Sequence, residues 1–136
     1  MVAEDGAITI PAAACDRPTN STDKVAFMES WDGGTQIHYA RLGARPELIR
    51  YTVEAPADGK YELVAKVATV APKQQAILRL NRRVMLDVPL PYTKGMWQDS
   101  EPLIVELSEG RNSFQFTCRA PNRGITVKEL RLVPVK

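Results

Sequence analysis

A single histidine, His38, stands in the whole chain, so chemistry that needs an imidazole base has only that ring to draw on. Activation of a serine or cysteine nucleophile requires the imidazole beside it. His38 instead falls in a strand-like stretch, Gln36 to Tyr39, where a lone histidine is ordinarily a surface group or a hydrogen-bonded structural one. Cysteine is as scarce. Cys15 and Cys118 are too few for a disulfide-rich scaffold and too far apart for a zinc set. One bridge between them and two free thiols both fit the sequence. The Gly33 and Gly34 pair lacks the following Lys and Ser or Thr of a phosphate-binding loop. No run approaches the about 20 apolar residues of a membrane-spanning helix, and Met1 is not followed by a charged and then apolar leader. A surplus of one charge is missing too. Eighteen Lys and Arg against 16 Asp and Glu leave a formal charge of +2, too little to neutralise several phosphates, and nucleic acid is not an expected partner.

Against those absences stands a composition, 44% hydrophobic and 25% charged over 136 residues, that suits one globular core, and a single domain over residues 1–136 is expected. The apolar residues repeat every second position, as they do in strands with one buried face. Tyr61, Leu63, Ala65 and Val67 form one such face. Others are Ile49, Tyr51 and Val53; Ala76, Leu78 and Leu80; Val84, Leu86, Val88 and Leu90; Leu103, Val105 and Leu107; and Phe114, Phe116 and Cys118. Near the C-terminus Ile125 and Val127 are in one phase, Leu130 and Leu132 in the other, which predicts a β-bulge near Lys128. Proline, glycine and asparagine separate these segments, at Pro56 to Gly59, Pro72, Asn81 to Arg83, Gly110 to Asn112 and Pro121 to Gly124. No window has helical periodicity with caps. The fold class expected is therefore all-β, a two-sheet antiparallel β-sandwich, with residues 16–35 mostly loop over one end.

The order of these features resembles carbohydrate-binding modules of families 6 and 35, the galactose-binding-like jelly rolls appended to glycoside hydrolases. Tyr51 to Pro56, then Gly59 and Tyr61, match the family's strand, proline turn and Gly-x-Tyr. Leu78 to Asn81 match a strand ending at an Asn-Gly hairpin, and Thr93 to Trp97 are similar to a Thr-Gly-x-Trp segment. Gly110 and Asn112 match a Gly-x-Asn turn, Ile8 to Ile10 the opening strand, Gly33 to Tyr39 a Gly-Gly loop, and Ile125 to Leu132 the final strand. The resemblance covers nearly the whole chain.

That resemblance implies a non-catalytic module, secreted or periplasmic with the cytoplasm left open, which binds a neutral or uronic poly- or oligosaccharide and serves a catalytic domain as partner. Sugar binding needs a flat ring for the C–H face of a pyranose and polar donors at its rim. The family's cleft residues carry over to Trp97, with Tyr39 as the opposite wall and Asn122 and Arg123 as hydroxyl partners. Trp31 and Tyr92 are further loop aromatics that could widen the platform or cover the core edge. Ser100 stands where the family has a second Trp, which implies a narrower platform. The family often holds a structural calcium with two glutamates and an aspartate, but those positions fall on Pro11, Ala13 and Lys128. No calcium is expected there, and no cofactor. Two alternatives remain. One is a domain that packs on a catalytic neighbour without binding sugar. The other is a small glycosidase with carboxylates drawn from Asp99, Glu101 and Asp32.

Overall fold

A computed structural model describes residues 6–19, 25–30, 33–39, 48–69, 75–118 and 125–135. Eleven strands run through them: β1 (Ile8–Pro11), β2 (Val25–Glu29), β3 (Thr35–Tyr39), β4 (Ile49–Ala55), β5 (Gly59–Thr69), β6 (Gln75–Leu80), β7 (Val84–Pro89), β8 (Gln98–Asp99), β9 (Leu103–Leu107), β10 (Gly110–Cys118) and β11 (Ile125–Pro134). They form two antiparallel sheets. The larger has the order β2-β3-β11-β5-β8, with β1 also on β11 and β9 also on β5; the smaller is β4-β10-β6-β7. The all-β sandwich expected from the two-residue period is the fold of the chain.

The period works because each strand has one face turned to the other sheet. Along β4 buried and exposed residues alternate without a break, and along β5 Tyr61, Leu63, Ala65 and Val67 are all buried. Phe114 and Leu78 of the smaller sheet and Leu132 and Val105 of the larger are buried between them and close the core. The phase change in the last strand is a bulge at the expected place: Val127 pairs with Val67 and Glu129 with Lys66, leaving Lys128 as the extra residue.

One expectation needs revision, and another gains a strand. Val84, Leu86 and Val88 do not form one buried face, since Val84 is 47% exposed and only Val88 is buried. β7 is an edge strand, and Val84 and Leu86 line an open groove against Ile104 to Leu107 of β9, so alternation marks the face without guaranteeing its cover. Within residues 16–35, expected to be mostly loop, β2 pairs along its length with β3 and buries Val25 completely. Its five residues, Val25 to Glu29, are apolar except for Glu29 but make too short a run between polar and Gly-rich sequence to read as a strand, and the neighbour that pairs with them completes it.

Turns are closed by side chains. Gly110 has φ +92°, and Asn112, 1% exposed, accepts from the Ser108 N–H at 3.0 Å and donates to the Ser108 and Gly110 carbonyls. A buried amide satisfied in this way fixes the β9 to β10 hairpin. Tyr51 donates to the Ala12 carbonyl at 2.6 Å, and its burial drives the phenol well above its ordinary value of 10. Cys15 is a buried free thiol that donates to the Pro18 carbonyl at 3.1 Å; burial raises its pKa. The Cys118 side chain lies outside the described residues, as do the turns at Pro72 and Pro121.

Candidate functional site

Trp97 sits between two anchors that fix it against β5. Ahead of it, Thr69 and Thr93, both buried, bond reciprocally: the Thr69 N–H donates to Thr93 Oγ1 at 2.8 Å and the Thr93 N–H to Thr69 Oγ1 at 3.0 Å. Thr69 Oγ1 also donates to the Pro91 carbonyl at 2.6 Å, and the Gly95 N–H to the Thr69 carbonyl at 2.9 Å. After it, Ser100 exchanges bonds with Ala65, its N–H to the Ala65 carbonyl and its Oγ accepting from the Ala65 N–H, each at 2.8 Å. The loop carrying the indole is thus pinned at both ends by hydrogen bonds in a low-dielectric environment. Ser100 is buried. Its substitution for a second Trp therefore bears on how the loop is anchored, not on the width of a platform.

The indole is partly buried and lines an open groove of about 370 Å³ with Lys66, Gln98, Asp99, Glu129 and Arg131. Lys66 lies between the buried Ala65 and Val67 and pairs in register with Asp99 and Glu129, so the groove is on the outer face of the larger sheet. Its charges are matched: Arg131 donates to Asp99 Oδ2 at 2.7 Å and lies 3.9 Å from Glu129 Oε2. The bulge turns Lys128 toward the ring, its Nζ 5.9 Å from the indole centroid, within cation–π range. The indole N–H is buried with no acceptor among the described residues.

Of the sequence-derived site residues, the side chains of Trp97 and Tyr92 are described, and Tyr92, 48% exposed, is on the same loop as Trp97. Tyr39 ends β3 opposite Val25 and Ile125, but its side chain lies outside the described residues, as do Trp31, Asn122 and Arg123. Among the described residues it is Lys128 that faces the Trp97 ring. The expectation missed Lys66, Glu129 and Arg131 because their strands meet only through long-range pairing. Asp99 had been singled out as an acid; it is the partner of Arg131. Glu101 is exposed and Asp32 lies outside the described residues.

The calcium positions do come together. Pro11 pairs with Glu129, and the Ala12 N–H donates to the Lys128 carbonyl at 2.9 Å. Pro11 and Ala13 offer no carboxylate and Lys128 brings an ammonium, so these residues do not fit a hard cation. The ammonium, expected in the old ion site, is turned to Trp97 by the bulge. Among the described residues no three metal-ligating side chains cluster. His38 is a structural group: its Nδ1 lies 2.9 Å from Thr126 Oγ1 across the β3 to β11 pair, and burial lowers its pKa below 6.5.

No family model and no curated protein matches the sequence. Solved structures do match. The C-terminal family 6 carbohydrate-binding module of a marine laminarinase from Zobellia galactanivorans superposes with TM-score 0.75 at 18% identity, over 93% of this chain and 98% of that one. The fold is that of a carbohydrate-binding module. A second family 6 module, from Cellvibrio mixtus lichenase 5A and solved with cellotriose, gives TM-score 0.72 at 18% identity, over 95% and 98%. A Podospora anserina β-1,4-mannanase with a family 35 module gives 0.71 at 17%, over 97% of this chain but 28% of that enzyme. The sandwich thus recurs both alone and as one part of a longer chain. No helix among the described residues is long and apolar enough to cross a membrane.

Proposed function

We propose that this domain is a non-catalytic carbohydrate-binding module that recognises a poly- or oligosaccharide with the Trp97 groove and tethers a polysaccharide-active enzyme to its substrate outside the cytoplasm. The observation that carries the reading is the pinned indole. A ring held by the Thr69, Thr93 and Ser100 bonds is pre-organised, so little side-chain entropy is lost when a sugar ring stacks on it. Around it, matched donors and acceptors from Lys66, Gln98, Asp99, Glu129 and Arg131 suit hydroxyl groups, which both donate and accept. Tyr92, on the same loop, and Tyr39, Trp31, Asn122 and Arg123 are proposed as further contributors. Tethering of this kind raises the local concentration of an attached catalytic domain without any chemistry in the module.

The test is affinity electrophoresis against neutral and uronic polysaccharides. The full chain is expected to be retarded by at least one of them, and Trp97→Ala, verified as folded by circular dichroism, to lose about tenfold or more in affinity. Retardation unchanged in the variant would sink the platform. A panel with no retardation at all would favour the packing domain, which draws on one specific observation: Ile104 and Val133 are exposed on the outer face of the larger sheet, flanking Glu62 in register. The glycosidase alternative has less to stand on, because Asp99 is engaged by Arg131.

A further inference from the structure

The outer face of the smaller sheet carries a second groove, of about 250 Å³, that the Trp97 reading leaves unused. It is lined by Asp16, Arg17, Arg50, Thr52, Arg82, Ser113 and Gln115. Strand register places its basic residues in a row. Arg17 faces Arg50 through an isolated antiparallel bridge, with the Arg50 N–H on the Arg17 carbonyl at 2.8 Å. Arg50 in turn pairs with Gln115, and Gln115 with Arg79. Like charges directly opposite each other across strands are destabilising, yet two arginines face one another here. Among the described residues no carboxylate lies within ion-pair distance of Arg17, Arg50 or Arg82. The acid in the groove, Asp16, accepts from Thr52 Oγ1 at 2.6 Å.

Two further features point into the same groove. Gln115 is 7% exposed although it lies on the outer side of its strand, between the buried Phe114 and the partly buried Phe116, and its amide makes no side-chain hydrogen bond among the described residues and opens to solvent in the groove. Arg82 has φ +60°, directly after Asn81 at φ +50°. Asn81 to Arg83 connect Leu80 to its partner Val84, with the Arg83 N–H on the Leu80 carbonyl at 3.1 Å, and Arg82 occupies a left-handed position where glycine is free of strain. A cationic side chain held there at a cost to the backbone, beside two unpaired guanidinium groups and a solvent-open amide, has the character of a ligand site.

We propose that Arg17, Arg50 and Arg82, with Gln115 as floor, bind the anionic substituents of an acidic polysaccharide, each a carboxylate or a sulfate, at a site separate from Trp97. The guanidinium fork matches such oxyanions in two-point geometry, while the Thr52 and Ser113 hydroxyls and the Gln115 amide supply partners for neighbouring sugar hydroxyls. The groove is open, so the attraction is screened by salt. Three arginines around one groove are too few for a nucleic-acid track, and the formal charge of the whole chain is +2.

The test uses the full chain in affinity electrophoresis with polygalacturonate, dextran sulfate, unsubstituted dextran and duplex DNA. Retardation by polygalacturonate or dextran sulfate is expected at low salt, and which of them acts identifies the carboxylate or sulfate source. Arg50→Gln and Arg82→Gly should each weaken it about fivefold or more. Arg111→Gln, which removes the same charge outside the groove, should leave it within twofold. Arg82→Gly relieves the turn, so its loss of binding does not reduce to misfolding. Equal loss in Arg111→Gln would overturn the site in favour of net charge, as would tighter binding of DNA or absence of retardation by both acidic polymers. Neutral-sugar binding lost with Trp97 and acidic binding lost with Arg50 are separable, so either reading survives failure of the other.

Discussion

In the groove beside Trp97, Arg131 meets Asp99 at 2.7 Å and Glu129 at 3.9 Å, whereas on the opposite sheet Arg17, Arg50 and Arg82 share a groove with one carboxylate, which Thr52 already occupies. Both surfaces are built on the same antiparallel ladder. They differ in what the register sets side by side. On the larger sheet it matches Lys66 with Asp99 and Glu129, leaving a polar surface of nearly balanced charge around an aromatic ring. On the smaller sheet it matches Arg17 with Arg50, leaving a net positive surface in which Asp16 is the one acid of the lining. The lesson is that a sandwich presents two chemically independent faces, because the core between them separates the fields and neither strand order nor composition couples their outward positions.

The comparison can be broken first at the anchor of the indole. Thr69→Val keeps the shape and strands the Pro91 carbonyl and the Thr93 N–H; chemical denaturation should show a loss of about 3 kcal/mol, and the variant should bind neutral glycan more weakly while keeping its acidic-polymer binding. Loss of both together would mean that the two faces are coupled. Salt sharpens the contrast at intermediate size. Raising ionic strength from about 0.05 to 0.5 M shortens the screening length severalfold, so retardation by acidic polymer should fall at least about fivefold while that by neutral glycan changes little. An equal fall for both would show that Trp97 is not the platform.

A smaller effect carries the opposite sign. Arg82→Gly should raise stability by about 1 kcal/mol in a denaturant titration, because the positive φ costs glycine little, while binding of the acidic polymer drops. A destabilised variant would show that Arg82 is kept for the fold. The smallest effect is a control at a residue that lines neither groove. His38 has its pKa lowered from 6.5 by burial, so the unfolded chain binds the proton more readily. Its contribution to stability is full above about pH 6.5 and is lost as pH falls through the lower folded value. An NMR titration should place the imidazole midpoint below 6.5, and His38→Gln should remove that part of the acid sensitivity without changing either binding mode.

Most of the core was legible because burial on one face of a strand leaves a two-residue trace, as in β4 and β5. The bulge at Lys128 was legible for the same reason, since a slip of phase has few other causes. The strand β2 was not, because its neighbour β3 supplies the hydrogen bonds that hold it. Nor was the exposure of Val84, which depends on the open groove between β7 and β9. At the site, Trp97 could be singled out by residue type and loop context. Lys66, Glu129 and Arg131 could not, and neither could the alignment of Arg17, Arg50, Gln115 and Arg79, whose positions are scattered over the chain.

By itself the sequence determined the fold class, since alternating side chains with turn residues between them leave a sandwich as the compact way to bury one face of every strand. It also determined the absence of carboxylates at Pro11, Ala13 and Lys128, which is a matter of residue identity alone. Only the tertiary structure decided which charges meet. Strand register brings residues distant in the chain to within a few ångströms, and at that distance the sign of the partner determines whether a cation is satisfied by the protein or left for a ligand.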